Sequence, residues 1–68
     1  MNRGSEIEPL ALNVASACEA LGVGPATLTR LVREGDLVSF RVGRKRLVEV
    51  RSIRDFVARR IVEDRDWA

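Results

Sequence analysis

The side chains best suited to chemistry are six cations that fall in two short stretches of the 68-residue chain. Arg30 and Arg33 lie three residues apart, so a helix puts them on one face. Arg41, Arg44, Lys45 and Arg46 place four cations within six positions. Guanidinium groups make forked hydrogen bonds to phosphate and to the O6/N7 edge of guanine. Arginine outnumbers lysine 11 to 1, a balance that suits planar, bidentate recognition. Binding of a polyanion is therefore the chemistry in prospect. Catalysis is not. The chain has no histidine, no tyrosine and a single cysteine. An internal disulfide and a zinc site of the usual Cys/His kind are excluded. No catalytic residue, metal ligand or cofactor is expected, and Cys18 reads as a buried core thiol.

The overall balance hides this cluster. Formal net charge is only +2, although the pI is about 9.5. Residues 1–23 net −2, residues 24–54 net +5, and residues 55–68 net −1. Segregation of this kind is the electrostatic footprint of a nucleic-acid binder. Protection of a sheet edge needs only one or two lysines, and the cluster exceeds that.

The elements that must position these residues follow from periodicity. Val14, Ala17, Cys18 and Leu21 recur at helical spacing. Asn13 caps that helix, Leu12 staples back toward Ala17, and Gly22 stops it, which sets the first helix at about Val14–Leu21. Residues 22–24 form a three-residue turn, and Pro25 suits the first position of a second helix. Leu28, Leu31 and Val32 are its buried stripe, and Gly35 ends it. Its opposite face centres on Ala26, Arg30 and Arg33, with Thr27 and Thr29 at the flanks.

Beyond Gly35 the period changes to two. Val38, Phe40 and Val42 alternate with polar residues, as do Val48 and Val50 further on. For both apolar sets to share one dry face the hairpin needs an odd loop. Gly43-Arg44-Lys45 is favoured, pairing Phe40 with Val48 and Val42 with Arg46. A two-residue Gly43-Arg44 loop, opposing Phe40 with Leu47, ranks second. Ser52 and Asp55 resemble a capping box for a third helix over about 53–63, carrying Ile53, Phe56, Val57 and Ile61. Phe40 and Phe56 are expected in the core. Trp67 either folds back onto it or anchors a partner.

The fold class is thus mainly α with a small β-hairpin, in the order helix, tight turn, helix, hairpin, helix. That is a winged helix–turn–helix, a flexible arm at 1–9 preceding the domain at 10–63 and a tail at 64–68. The second helix is expected to enter the major groove with Ala26, Thr27, Thr29, Arg30 and Arg33. The wing is expected to place Arg41, Gly43, Arg44, Lys45 and Arg46 on the backbone or minor groove. No apolar run reaches the roughly 18–20 residues of a membrane span, and the start lacks the apolar stretch of a signal peptide. A cytoplasmic protein with no membrane partner is expected.

From Leu12 to about Arg60 the chain resembles the small MerR-type domains of the excisionase family. The residues concerned are Leu12, Ala17-Cys18, Leu21-Gly22-Val23, Thr27-Leu28-Thr29-Arg30, Glu34-Gly35-Asp36-Leu37, Val42-Gly43-Arg44-Lys45 and Ile53-Arg54-Asp55-Phe56-Val57. It departs from the pattern at Gly24-Pro25, in place of Ser-Arg or Ser-Lys, at Thr29, in place of an aromatic, and at Val38, in place of Pro. The segment 13–16 also lacks the usual acidic pair.

The resemblance implies a phage or mobile-element excisionase, a recombination directionality factor, at work in the cytoplasm or nucleoid of a bacterial host. Such a protein bends attachment-site DNA and turns an integrase toward excision. Its implied partners are double-stranded DNA, an integrase and further copies of itself on DNA. Two alternatives stand beside it: a small helix–turn–helix transcriptional regulator and a protein-interaction adaptor that binds no DNA. Only about five residues follow the third helix, so the long dimerising helix of a full MerR-type activator is not expected.

Overall fold

Local signals start and stop the first two helices. The computed structural model describes residues 8–67. The expected arm therefore lies outside the described residues from 1 to 7, as does Ala68 of the tail. The elements are β1 (Ala11–Asn13), α1 (Val14–Leu21), α2 (Pro25–Arg33), β2 (Ser39–Val42), β3 (Lys45–Glu49) and α3 (Val50–Glu63). Asn13 caps α1, its Oδ1 accepting from the Ser16 N–H at 2.7 Å. Gly22 ends α1 in the left-handed region at φ 70°, which glycine enters without a Cβ clash. The Val23 N–H reaches back to the Cys18 carbonyl at 3.0 Å and closes the turn. Pro25 opens α2, and Gly24 before it provides no side-chain cap. These bounds match those expected from periodicity.

The core lies where α1, α2 and α3 meet the sheet. Ala17, Cys18, Leu28, Leu31, Leu37, Val48 and Ile53 are buried, with Leu12, Val14 and Phe56 packed around them. Cys18 is a free, buried thiol. Leu37, just after α2, is one of the two largest fully enclosed side chains. Burial of a leucine contributes roughly 1.5–3 kcal/mol, so this post-helical turn is held as firmly as the helices.

The sheet differs from the expected hairpin in two ways. It has three antiparallel strands in the order β1-β3-β2. Residues 11–13 pair with β3, placing Leu12 opposite Val48. Three residues are too few for a period of two to show in sequence, so tertiary pairing creates this strand.

The second difference is register. β2 and β3 are joined by the two-residue turn Gly43-Arg44, so Phe40 faces Leu47 and Val42 faces Lys45. The favoured three-residue loop is wrong. Gly43 has φ 61°, while no non-glycine residue has positive φ. Positive φ at the first central position alone is the pattern of a type II′ turn, whose twist matches the strands it joins. The one-residue slip reverses every side chain of β2. Val38, Phe40 and Val42 lie on the outer face, and Phe40, expected in the core, is 40% exposed. Ser39 and Arg41 turn to the side of Val48.

α3 also starts earlier than expected. The chain runs from β3 into the helix at Val50 with no loop, and Glu49 occupies the cap position. Ser52 is therefore not a cap. It is the third residue of the helix, within the first turn and buried, where its Oγ accepts from the Val38 N–H at 3.0 Å and donates to the Glu49 carbonyl at 2.8 Å. One hydroxyl thus ties the start of β2 to the start of α3. Beyond Phe56 the helix leaves the core: Val57 and Ile61 are exposed. Trp67 does not fold back onto the core and is 83% exposed.

Candidate nucleic-acid interface

The buried stripe of α2 determines what its other face presents. Leu28 and Leu31 point into the core. At about 100° per residue, the direction opposite them falls on Ala26 and Arg33, with Thr29 to one side and Arg30 to the other. All four are exposed, whereas Thr27 is half-buried at the edge of the helix. Small side chains at 26 and 29 leave room for close approach, and the two arginines extend beyond them.

The wing supplies the second group. Arg41, Gly43, Arg44, Lys45 and Arg46 are all exposed. Arg41 stands directly across from Arg46 on the face that carries Val48. Like charges directly opposite each other in an antiparallel pair are destabilising. Among the described residues neither has a carboxylate partner, and the same holds for Arg30, Arg33, Arg44 and Lys45. The ion pairs involve arginines of α3: Arg54 with Glu8, Arg59 with Asp36 at 2.9 Å, and Arg60 with Glu63 at 3.8 Å. Acidic side chains thus neutralise part of α3, and none among the described residues neutralises those six cations of α2 and the hairpin.

A cleft joins the two groups. Its rim carries Thr29 and Arg33 from α2 and Ser39 and Arg46 from the hairpin. Its floor is apolar, formed by Val14, Leu28, Val32 and Val48. The Arg46 Nη1 donates to Ser39 Oγ at 3.1 Å, which orients the guanidinium across the strand pair. Arg30 lies on the far flank of α2, and Arg44 and Lys45 lie at the tip, so none of these three lines the cleft.

Ser39 was not expected here. Its placement follows from the hairpin register, and the one signal for it was Gly43 as the first residue of a two-residue turn.

Two helices joined by residues 22–24, followed by a β-hairpin wing and a third helix, define a winged helix–turn–helix domain. Residues 11–61 match the family described as Helix-turn-helix domain, and the chain belongs to that family. Membership supports sequence-specific binding of double-stranded DNA, in a family that is typically non-enzymatic. No curated protein and no solved structure gives a significant match. Among the described residues no helix is long and apolar enough to cross a membrane.

Proposed function

We propose that this protein is an architectural DNA-binding factor of the MerR-type excisionase kind. α2 lies in the major groove, with Ala26, Thr27, Thr29, Arg30 and Arg33 as recognition positions. The hairpin lies on the neighbouring backbone or minor groove through Arg41, Gly43, Arg44, Lys45 and Arg46. The observation that carries the reading is the set of six cations on α2 and the hairpin with no carboxylate partner among the described residues. The sequence resemblance from Leu12 to Arg60 supports the finer role. In that role several copies bend a phage or mobile-element attachment site and direct a partner integrase toward excision. A module of this size buries only about 600–1,000 Å² on DNA, so one copy binds modestly and neighbouring copies add to it.

Duplex binding as a function of salt tests the core of the proposal. If Arg30 reads a base and the other five cations meet phosphates, log K falls with log salt at a slope of about −4 to −5. Arg30→Ala weakens the preferred duplex by about 1–3 kcal/mol and relaxes sequence preference. Lys45→Ala weakens preferred and random duplexes by the same factor. Identical behaviour of the two variants on both duplexes contradicts this division of labour. Absence of duplex binding at low salt contradicts the whole reading. The architectural part is tested by gel mobility of circularly permuted duplexes, where an unbent complex rules it out.

A further inference from the structure

We infer that the cleft between α2 and the hairpin seats one sugar–phosphate linkage of the DNA backbone, held from both sides by Arg33 and Arg46. The inference rests on the proposal of duplex binding and assigns one contact within it. Three observations converge on the cleft. Its rim presents two guanidinium groups and two hydroxyls, from Thr29 and Ser39, contributed by two separate elements. Arg46 spends one donor on Ser39 Oγ, which leaves four of its five N–H groups for an anion. Ser39 Oγ accepts that bond, so its own proton is free to be donated to a phosphate oxygen. Arg41 stands opposite Arg46 on the same sheet face, outside the cleft lining, and an anion bound near Arg46 relieves the repulsion between these like charges.

The floor accounts for the other half of the ligand. Val14, Val32 and Val48 offer no hydrogen-bonding groups there. A deoxyribose can lie on the half-buried Val14 and Val32 through its C–H groups, with the fully buried Val48 beneath them, while a ribose would bury a 2′-hydroxyl without a partner. Apolar floor and cationic rim together fit a deoxyribose with its phosphate better than they fit a free inorganic anion. A phosphate clamped by both elements also fixes the angle between recognition helix and wing on the duplex. Ser39 acts here as a positioning residue for Arg46.

The test is a methylphosphonate scan of a short duplex selected for binding from a randomised pool. Each neutral linkage removes one phosphate charge. In the wild type one linkage is expected to lower affinity at least about ten-fold, the loss of a charge-assisted contact. Arg33→Ala and Arg46→Ala are each expected to become insensitive at that same linkage. Both residues are exposed, and Arg46→Ala also removes the like-charge opposition with Arg41, so melting temperatures no lower than the wild type's are expected to accompany the loss. Ser39→Ala is expected to reduce the effect there and nowhere else.

A single ribonucleotide at that position is expected to weaken binding severalfold. Insensitivity of the two arginine variants at different linkages overturns the shared clamp, and an unchanged affinity for the ribonucleotide duplex overturns the sugar seat. Competition by millimolar inorganic phosphate beyond that of chloride at equal ionic strength, lost in Arg46→Ala, identifies a free-anion site and overturns the proposal. Wild-type protein that binds no duplex defeats the functional reading itself, an outcome distinct from each of these.

Discussion

Ser52→Ala and Ser52→Asp together test the junction on which the wing hangs. The Ser52 hydroxyl accepts from the Val38 N–H and donates to the Glu49 carbonyl, at 3.0 and 2.8 Å, in a residue 8% exposed. Each such bond contributes about 0.5–1.5 kcal/mol net, and stranding partly buried partners costs more. Ser52→Ala is therefore expected to cost about 2–3 kcal/mol. For a domain of this size that is a fall in Tm of roughly 10–20 °C. Alanine alone does not separate this bridge from a helix cap, since losing a serine cap costs about 0.5–2 kcal/mol.

Aspartate separates them. At a cap, aspartate serves as well as serine. At the bridge it cannot donate to the Glu49 carbonyl and sets a carboxylate oxygen against it. Ser52→Asp is thus expected to be less stable than Ser52→Ala. Urea denaturation at neutral pH, with m-values compared to confirm two-state unfolding, measures both. An aspartate variant as stable as wild type refutes the bridge and restores the cap.

Two further predictions rest on the register of the sheet. Leu37→Ala is expected to cost about 2–5 kcal/mol, because Leu37 is 2% exposed, whereas Phe40→Ser costs less than about 1 kcal/mol in the same denaturation assay. The reverse order would mean that Phe40 points inward. Gly43→Ala is expected to destabilise by about 1 kcal/mol, since φ 61° strains any residue with a Cβ, and Gly43→Asn is expected to cost less. Equal stability of all three at position 43 would remove the type II′ turn.

Much of the domain was legible in local chemistry. The bounds of α1 and α2 follow from Asn13, Gly22, Pro25 and Gly35, each acting on backbone within a turn of itself. The exposed face of α2 follows from Leu28 and Leu31 by geometry alone. The cationic cluster was visible as well, because charge position needs no fold to be counted. The misreadings share one origin. β1 has no signal within three residues. Ser52 looks like a cap until the strand before it is known to run straight into the helix. Phe40 and Trp67 look like core residues by type, and each is exposed.

The sequence by itself determined the first two helices, the turn between them, and which stretch of chain carries the positive charge. These depend on interactions within a few residues. It also determined that β2 alternates, but not which of its faces is dry. An alternating strand looks the same in either register, and the side-chain set that turns inward depends on its partner strand and on the turn that joins them. Tertiary structure decided that Ser39 and Arg41, and not Phe40 and Val42, lie on the side of Val48. That choice sets Ser39 beside Arg46 on the rim of the cleft with Arg33 and Thr29. Arg33 from one run of cations and Arg46 from the other thereby line a single cleft.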